Sequence, residues 1–343
     1  MKDSNIAIDV SKCLACGNCV DRCIMDNLRL VLPPCRQASL MDINYQGIVR
    51  LAAQGKMKEA ARELRRCTPF GGFLAAWGDG PAARACSRGR SGGALNFAGI
   101  LAYLVHAQED VVYGADDHLP RSHKKAVVAG GDAAALQAAY ALRMGGHAVT
   151  VLSASPCFSV DGVPAPVLKK TMTMLKGMGI VFETADASDI EELCRNFDAV
   201  IVTGAAAEGM TADEYGLVRN NLFAVIAGDR QNPLQAMAAA IRTAHAARNL
   251  LEGFSVDYES NQRVARGLER FHGLSEEQED APEAAAVVCS GDGFTEEEVR
   301  AEASRCLGCG RPVERNMTCW YCLPCEVVCP TQALHVRIPY LIR

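Results

Sequence analysis

Two cysteine runs at opposite ends of the chain limit what it can fold into more than any other feature. Near the start, KCLACGNCVDRC carries thiols at Cys13, Cys16, Cys19 and Cys23; near the end, CWYCLPCEVVCP carries them at Cys319, Cys322, Cys325 and Cys329, followed by Pro330. Both read C-x-x-C-x-x-C-x-x-x-C, a spacing that wraps a 4Fe-4S cubane. Three thiolates two residues apart let one tight loop cover three corners of such a cluster while its amides point at the sulfides. The fourth thiol of such a run often serves a different cluster.

The location expected for the chain decides what its thiols are for. MKDSNIAIDVSK has no basic segment followed by an apolar one, so a cytoplasmic protein is expected. The longest apolar stretch, residues 95–105, includes an Asn and falls far short of the roughly 20 residues a membrane span needs, so no transmembrane segment is expected. Disulfides are rare in reducing cytosol, and clustered thiols there read as metal ligands. Zinc is the alternative for the C-x-x-C pairs Cys306/Cys309 and Cys319/Cys322. Their nine-residue gap is shorter than the roughly 15–20 residues of a zinc ribbon, and zinc leaves Cys325, Cys329 and Pro330 unexplained. The scattered Cys67, Cys157 and Cys194 read as small buried apolar residues. A net charge of -5 with eight Tyr and two Trp gives no basic, aromatic-studded surface, so no nucleic-acid partner is expected.

The organisation between the two runs changes along the chain. Residues 1–34 read as a ferredoxin-like 4Fe-4S segment, with short extended stretches either side of the cysteine loop. Residues 35–122 form a helical domain: Ile48, Leu51, Met57, Ala60, Ala61 and Leu64 recur on one face, with a break near Gly55, and a buried helix follows over 96–107. Between them, residues 71–93 are rich in Gly, Ala and Arg and read as an irregular loop. From Lys124, strand 126–129, a glycine turn, helix 133–144 and strand 148–152 make a βαβ unit of dinucleotide-binding type. Further strands at 179–183, 199–203 and 223–227 and helices at 167–177 and 233–251, the last capped by Asn232 with Pro233 first in the helix, predict a parallel sheet over 123–274. Residues 275–294 read as an acidic linker. Thr295 and Glu298 make a capping box that opens the C-terminal 4Fe-4S segment, 295–343. The fold class is thus α/β, a Rossmann-like parallel sheet with an N-terminal helical segment and ferredoxin-like segments at both termini.

This order resembles the small (beta), flavin-containing subunit of glutamate synthase and related FAD-dependent iron–sulfur pyridine-nucleotide oxidoreductases. INYQGIVRLAAQGKMKEAARELRRCTPF is similar to that family's N-terminal helical segment, and EEEVRAEASRCLGCG to the lead-in to its iron–sulfur segment. KKAVVAGGDAAALQAAYAL lies where the family has its FAD-binding glycine turn, which implies FAD contacts at Gly130, Gly131 and Ala135. NFDAVIVTGA and LFAVIAGDRQNP resemble the return strand and second FAD motif, which adds Gly204, Gly228 and Asp229. Cys35 lies near the position of a family cluster ligand.

The chain also departs from the family. About 18 residues separate Gly204 from Phe223, too few for the roughly 30 of a βαβ unit, so the family's NADPH domain is absent. Asp132 stands where a glycine lets the backbone approach the pyrophosphate. A carboxylate about 5 Å from a phosphate costs roughly 3 kcal/mol per charge pair at an effective dielectric near 20. Val151-Leu152-Ser153-Ala154 offers no acid for a ribose.

These readings predict an electron-transfer subunit of a larger oxidoreductase complex, with at least two 4Fe-4S clusters and a degenerate FAD site. One cluster is expected on Cys13, Cys16 and Cys19, completed by Cys23 or Cys35. Another is expected on Cys319, Cys322 and Cys325, completed by Cys329, Cys306 or Cys309. Alternatively, the two runs fold together as one split ferredoxin, each lending its last cysteine to the other. No general acid, base or nucleophile is expected, so a catalytic dehydrogenase or reductase subunit, or ferredoxin-like proteins, would be the partners. A flavin-free wire with a purely structural α/β body is the alternative.

Overall fold

The computed structural model describes residues 5–106, 120–155, 158, 160–185, 189–228, 232–258, 268–269, 271, 273–274, 276–279, 282–315 and 319–338. The chain divides into two compact units, Met1–Glu109 with Ser260–Arg343, and Asp110–Glu259.

The first unit begins with strand β1 (Ile6–Ile8), helix α1 (Asn18–Asp21), strand β2 (Leu28–Val31) and helix α2 (Pro34–Ala38). The amphipathic stretch then forms α3 (Tyr45–Ala53) and α4 (Met57–Cys67). Gly55, at φ 74°, makes the expected break: its amide bonds to Ala52 and that of Lys56 to Leu51, a Schellman cap that needs a left-handed residue. Residues 71–93 differ from the expected irregular loop. They form α5 (Gly71–Trp77), α6 (Gly80–Arg84) and a 3₁₀ turn (Ser87–Arg90). Phe73 and Leu74 of α5 are fully buried, and Asp79 caps α6 by accepting from Ala82. Burial of one face overrides the glycines that weaken helix here, and Ala, Leu and Arg favour it. Helix α7 (Phe97–His106) closes this half.

The second unit is mixed α/β. Strand β3 (Lys125–Ala129), helix α8 (Ala133–Met144), β4 (Ala148–Ser153), α9 (Ala165–Gly177), β5 (Val181–Thr184), α10 (Ile190–Asn196) and β6 (Ala199–Val202) follow in order. A hairpin, β7 (Leu217–Arg219) and β8 (Leu222–Ala224), then leads to α11 (Pro233–Leu251). The six strands form one sheet in the order β5-β4-β3-β6-β8-β7, parallel except for β7 against β8. Residues 126–129 and 199–202 are buried throughout, as an apolar run covered on both faces requires. Asn232 caps α11 by accepting from the amides of Leu234 and Gln235. The hairpin strand β7 and α10 have no counterpart in the sequence reading, because both are short and only partly buried.

The C-terminal part of the first unit contains β9 (Leu268–Glu269), α12 (Glu276–Glu279), α13 (Glu296–Ser304), β10 (Arg311–Glu314), α14 (Pro324–Val327) and β11 (Leu334–Val336). The capping box of Thr295 and Glu298 opens α13 as predicted. The acidic segment before it is tied down rather than free. Buried Glu302 accepts from the amides of Asn96 and Val287 and from Arg305, whose guanidinium also bonds carbonyls of Gly92, Gly93 and Ala284. Every partner being satisfied, this buried ion pair locks three segments together. No helix among the described residues is long and apolar enough to cross a membrane.

Asn232→Ala is expected to cost about 1 kcal/mol in urea unfolding of the α/β unit. Asn232→Asp should leave the midpoint close to that of the parent. Equal stability of the Ala variant would contradict the cap's role.

Candidate metal centres

The two cysteine runs have the same backbone, position for position. Ala15 (φ 50°) and Gly17 (φ 86°) answer to Tyr321 (φ 57°) and Leu323 (φ 70°), and Asp26 (φ 50°) answers to Gln332 (φ 52°). The sulfur of Cys23 accepts from the amide of Asn27 at 3.3 Å, and that of Cys329 accepts from Ala333 at 3.1 Å. One-turn helices α1 and α14 sit at matching places. The strands pair reciprocally and antiparallel: β1 with β11 (Ile6↔Val336) and β10 with β2 (Pro312↔Leu30). Left-handed non-glycine residues cost on the order of 1 kcal/mol each, and holding Ala15, Tyr321 and Leu323 there keeps three thiols of each loop turned to one side.

This symmetry exchanges the fourth thiols. Cys13, Cys16, Cys19 and Cys329 line one cavity with Ile8 and Leu334. Cys16 and Cys329 both bear electrostatically on Cys13. Around Cys325 the neighbouring thiols are Cys23, Cys319 and Cys322. Cys19, Cys325, Leu28 and Leu334 form one buried cluster, with Cys23, Cys319 and Cys329 packed against it. The first set is therefore Cys13, Cys16, Cys19 and Cys329, and the second Cys319, Cys322, Cys325 and Cys23. Of the arrangements the sequence leaves open, the geometry matches the split one.

A third set lies where the sequence indicates only parts. Cys35 on α2, Cys86 before the 3₁₀ turn, and Cys306 and Cys309 after α13 line a second cavity with Tyr45 and Phe97. Cys306, Cys86 and Cys309 are the thiols that bear on Cys35. So Cys35 does not complete the N-terminal run, and Cys306 and Cys309 do not complete the C-terminal one. No spacing in the sequence marks Cys86 as a ligand: six single thiols and one C-x-x-C pair remain once the two runs are filled, and only the fold selects Cys35 and Cys86 among them. Cys67 and Cys194 belong to none of the sets; Cys194 packs against the core of the sheet, as an apolar residue would. Cys157 lies outside the described residues.

Burial governs the acidity of these thiols. It pushes Cys13 and Cys325 up to about 11, against pulls from the amides of Ala15 and Glu326. Cys309 is also pushed up to about 11 by burial, and its thiol donates to Ser87 Oγ at 3.3 Å. Burial drives Cys35 well above the usual thiol range, with Cys306 adding to the push. Such thiols ionise only when a cationic core arrives to accept them, so metal loading releases protons. Among the described residues, no three His, Cys, Asp or Glu side chains converge as a single-ion site would require. The first and third thiol sets instead surround cavities, and all-thiolate donor sets of this kind suit a cubane, whose ligands stand at separate corners.

The glycine turn tells a different story. Gly130 ends β3 at φ 157°, and a β-carbon there would run into Thr203 Oγ1; one on Gly131 would meet Ser153 Oγ at 2.7 Å. Asp132 caps α8: its Oδ1 accepts from the amide of Ala135 and from the Thr203 hydroxyl, both at 2.8 Å. A β-carbon on Gly204 would lie 2.9 Å from Asp132 Oδ2. A carboxylate thus takes the amide that a pyrophosphate would need at this helix N-terminus. Gly130, Gly131, Ala135 and Gly204 come together as expected, but around a negative charge, and they do not fit the FAD pyrophosphate. A β-carbon on Gly228 would lie 3.9 Å from Gln235 Oε1, an ordinary contact. Asp229 lies outside the described residues.

No family model matches the chain, and no characterised protein matches it in sequence.

Asp132→Gly is expected to tighten ADP binding by about two decades, the equivalent of the removed charge repulsion, as read by titration calorimetry. The same change should cost about 1 kcal/mol of stability through the lost cap. Unchanged ADP affinity would contradict the carboxylate block.

Proposed function

We propose that this chain is an iron–sulfur electron-transfer subunit of a larger oxidoreductase assembly, built around a two-cluster ferredoxin whose halves lie at opposite ends of one polypeptide. The observation that carries this reading is the reciprocal exchange of Cys329 and Cys23 between two loops of identical backbone. That exchange is what a two-cluster ferredoxin requires of its fourth thiols. The third set, Cys35, Cys86, Cys306 and Cys309, extends the path to a third cubane. Iron–sulfur cubanes bound in these sets would supply reversible one-electron storage at potentials tuned by burial and hydrogen bonds.

The chain's own residues supply the rest. Amides of Ala15, Asn27 and Ala333 donate to the sulfurs of Cys13, Cys23 and Cys329, hydrogen bonds of the kind that tune a cluster's potential. Ile6, Leu28 and Leu334 exclude water between the first two sets. The exposed thiol of Cys322 lies beside exposed Trp320 and Leu323, which suits electron exchange with a partner chain. Relationship to the small subunit of glutamate synthase is part of this proposal. The strand order β5-β4-β3-β6 supports a Rossmann-like ancestry for the α/β unit. Asp132 favours a structural role for that unit over a flavin-binding one.

The exchanged ligation makes a specific prediction. Cys329→Ser should damage the centre of the N-terminal run, and Cys23→Ser that of the C-terminal run, as followed by low-temperature EPR of the reduced protein. Cys86→Ser should remove about four irons per chain, one cubane, and leave the spectra of the other two centres unchanged. Cys329→Ser acting on the C-terminal run instead would defeat the split arrangement.

A further inference from the structure

Helix α3 is a strut between the first and third thiol sets. At its start, Asn44 Nδ2 donates to the carbonyl of Leu14, inside the Cys13–Cys19 loop, at 3.3 Å. Two residues on, Gln46 and Gly310 exchange two hydrogen bonds of 2.6 Å, fixing the loop that carries Cys306 and Cys309. The next residue facing that loop is Arg50. Its guanidinium packs so closely on Gly308 that any β-carbon there would overlap it. Gly308 lies between Cys306 and Cys309 and has φ 63°.

Arg50 differs from the other cation near the third set in how its donors are used. Arg88 donates to the carbonyls of Arg305 and Pro282 and is spent on holding the backbone. The Nε of Arg50 is buried and has no hydrogen-bond partner among the described residues. A buried donor left unmade costs on the order of 1–3 kcal/mol, and this one belongs to a positive group held against the loop of the third thiol set.

We propose that Arg50 is the cation that sets the reduction potential of the centre at the third thiol set. This rests on the iron–sulfur reading above. A four-thiolate cubane is anionic, and each electron it gains makes it more so; a fixed positive charge in a poorly hydrated place favours the reduced form. Gly308, on which the guanidinium packs, sits between two ligand positions of the third set. Arg50 is a positioning residue: it ligates nothing and acts through the field it imposes.

The test is an anaerobic redox titration of the full chain, followed by EPR and visible absorbance, for the parent, Arg50→Gln and Arg50→Lys. Arg50→Gln should move the potential of the third centre to more negative values and leave the second centre unmoved, with iron content retained. Arg50→Lys, which keeps the charge, should recover most of the shift. Full iron content with unmoved potentials overturns the proposal, as does an equal shift of all three centres. Loss of iron in both variants assigns Arg50 to folding and also overturns it. Absence of iron from the parent protein defeats instead the reading on which it rests.

Discussion

The antiparallel pairing of β1 with β11 and of β2 with β10 is the contact on which the rest depends. It joins the two ends of the chain across everything between them. Closing a loop on the order of 300 residues costs about 5 kcal/mol by chain entropy. Two ladders of three and four residues, at about 1 kcal/mol net per hydrogen bond, only offset that cost. The apolar cluster of Ile6, Leu28, Leu334, Cys19 and Cys325 adds to the ladders. In the proposed reading, thiolate ligation across both ends makes the closure secure, because each centre draws ligands from both termini.

Ordinary hydrogen bonds also tie together the segments that carry the third thiol set. Glu302 and Arg305 bind residues 92–96 and 284–287 into one buried network, and Gln278 donates to the carbonyls of Leu307 and Gly308. The loop that carries Cys306 and Cys309 therefore meets Cys35 and Cys86 on a scaffold of ordinary hydrogen bonds. Such pre-organisation lowers the conformational entropy lost when a cluster is bound. It also explains how α3 reaches both loops: its N-cap Asn44 bonds Leu14 in the first, while Gln46 and, one turn later, Arg50 meet the loop of the third.

Much of this was legible in the sequence where a local rule governs. The five parallel strands, α8, α11 and the capping box follow from periodicity, from Asn232 with Pro233, and from Thr295 with Glu298. The helices of residues 71–90 were not legible, since glycine and alanine specify little until Phe73 and Leu74 find a core. Cysteine spacing identified both runs but could not assign the fourth thiols, because Cys23 is compatible with either loop until β1 and β11 pair. Cys86 stands alone in its segment, and only the folded chain brings it to Cys35. Asp132 was legible as a charge in the wrong place for a phosphate; its hydrogen bonds to Ala135 and Thr203 explain why it is stable there.

The most direct test is a count of iron, acid-labile sulfide, zinc and flavin on full-length protein prepared without oxygen. Three cubanes require iron and sulfide in equal amounts at about twelve each per chain, with neither zinc nor flavin near stoichiometry. Zinc in place of iron, with the protein folded and no sulfide released by acid, would contradict the account at its root.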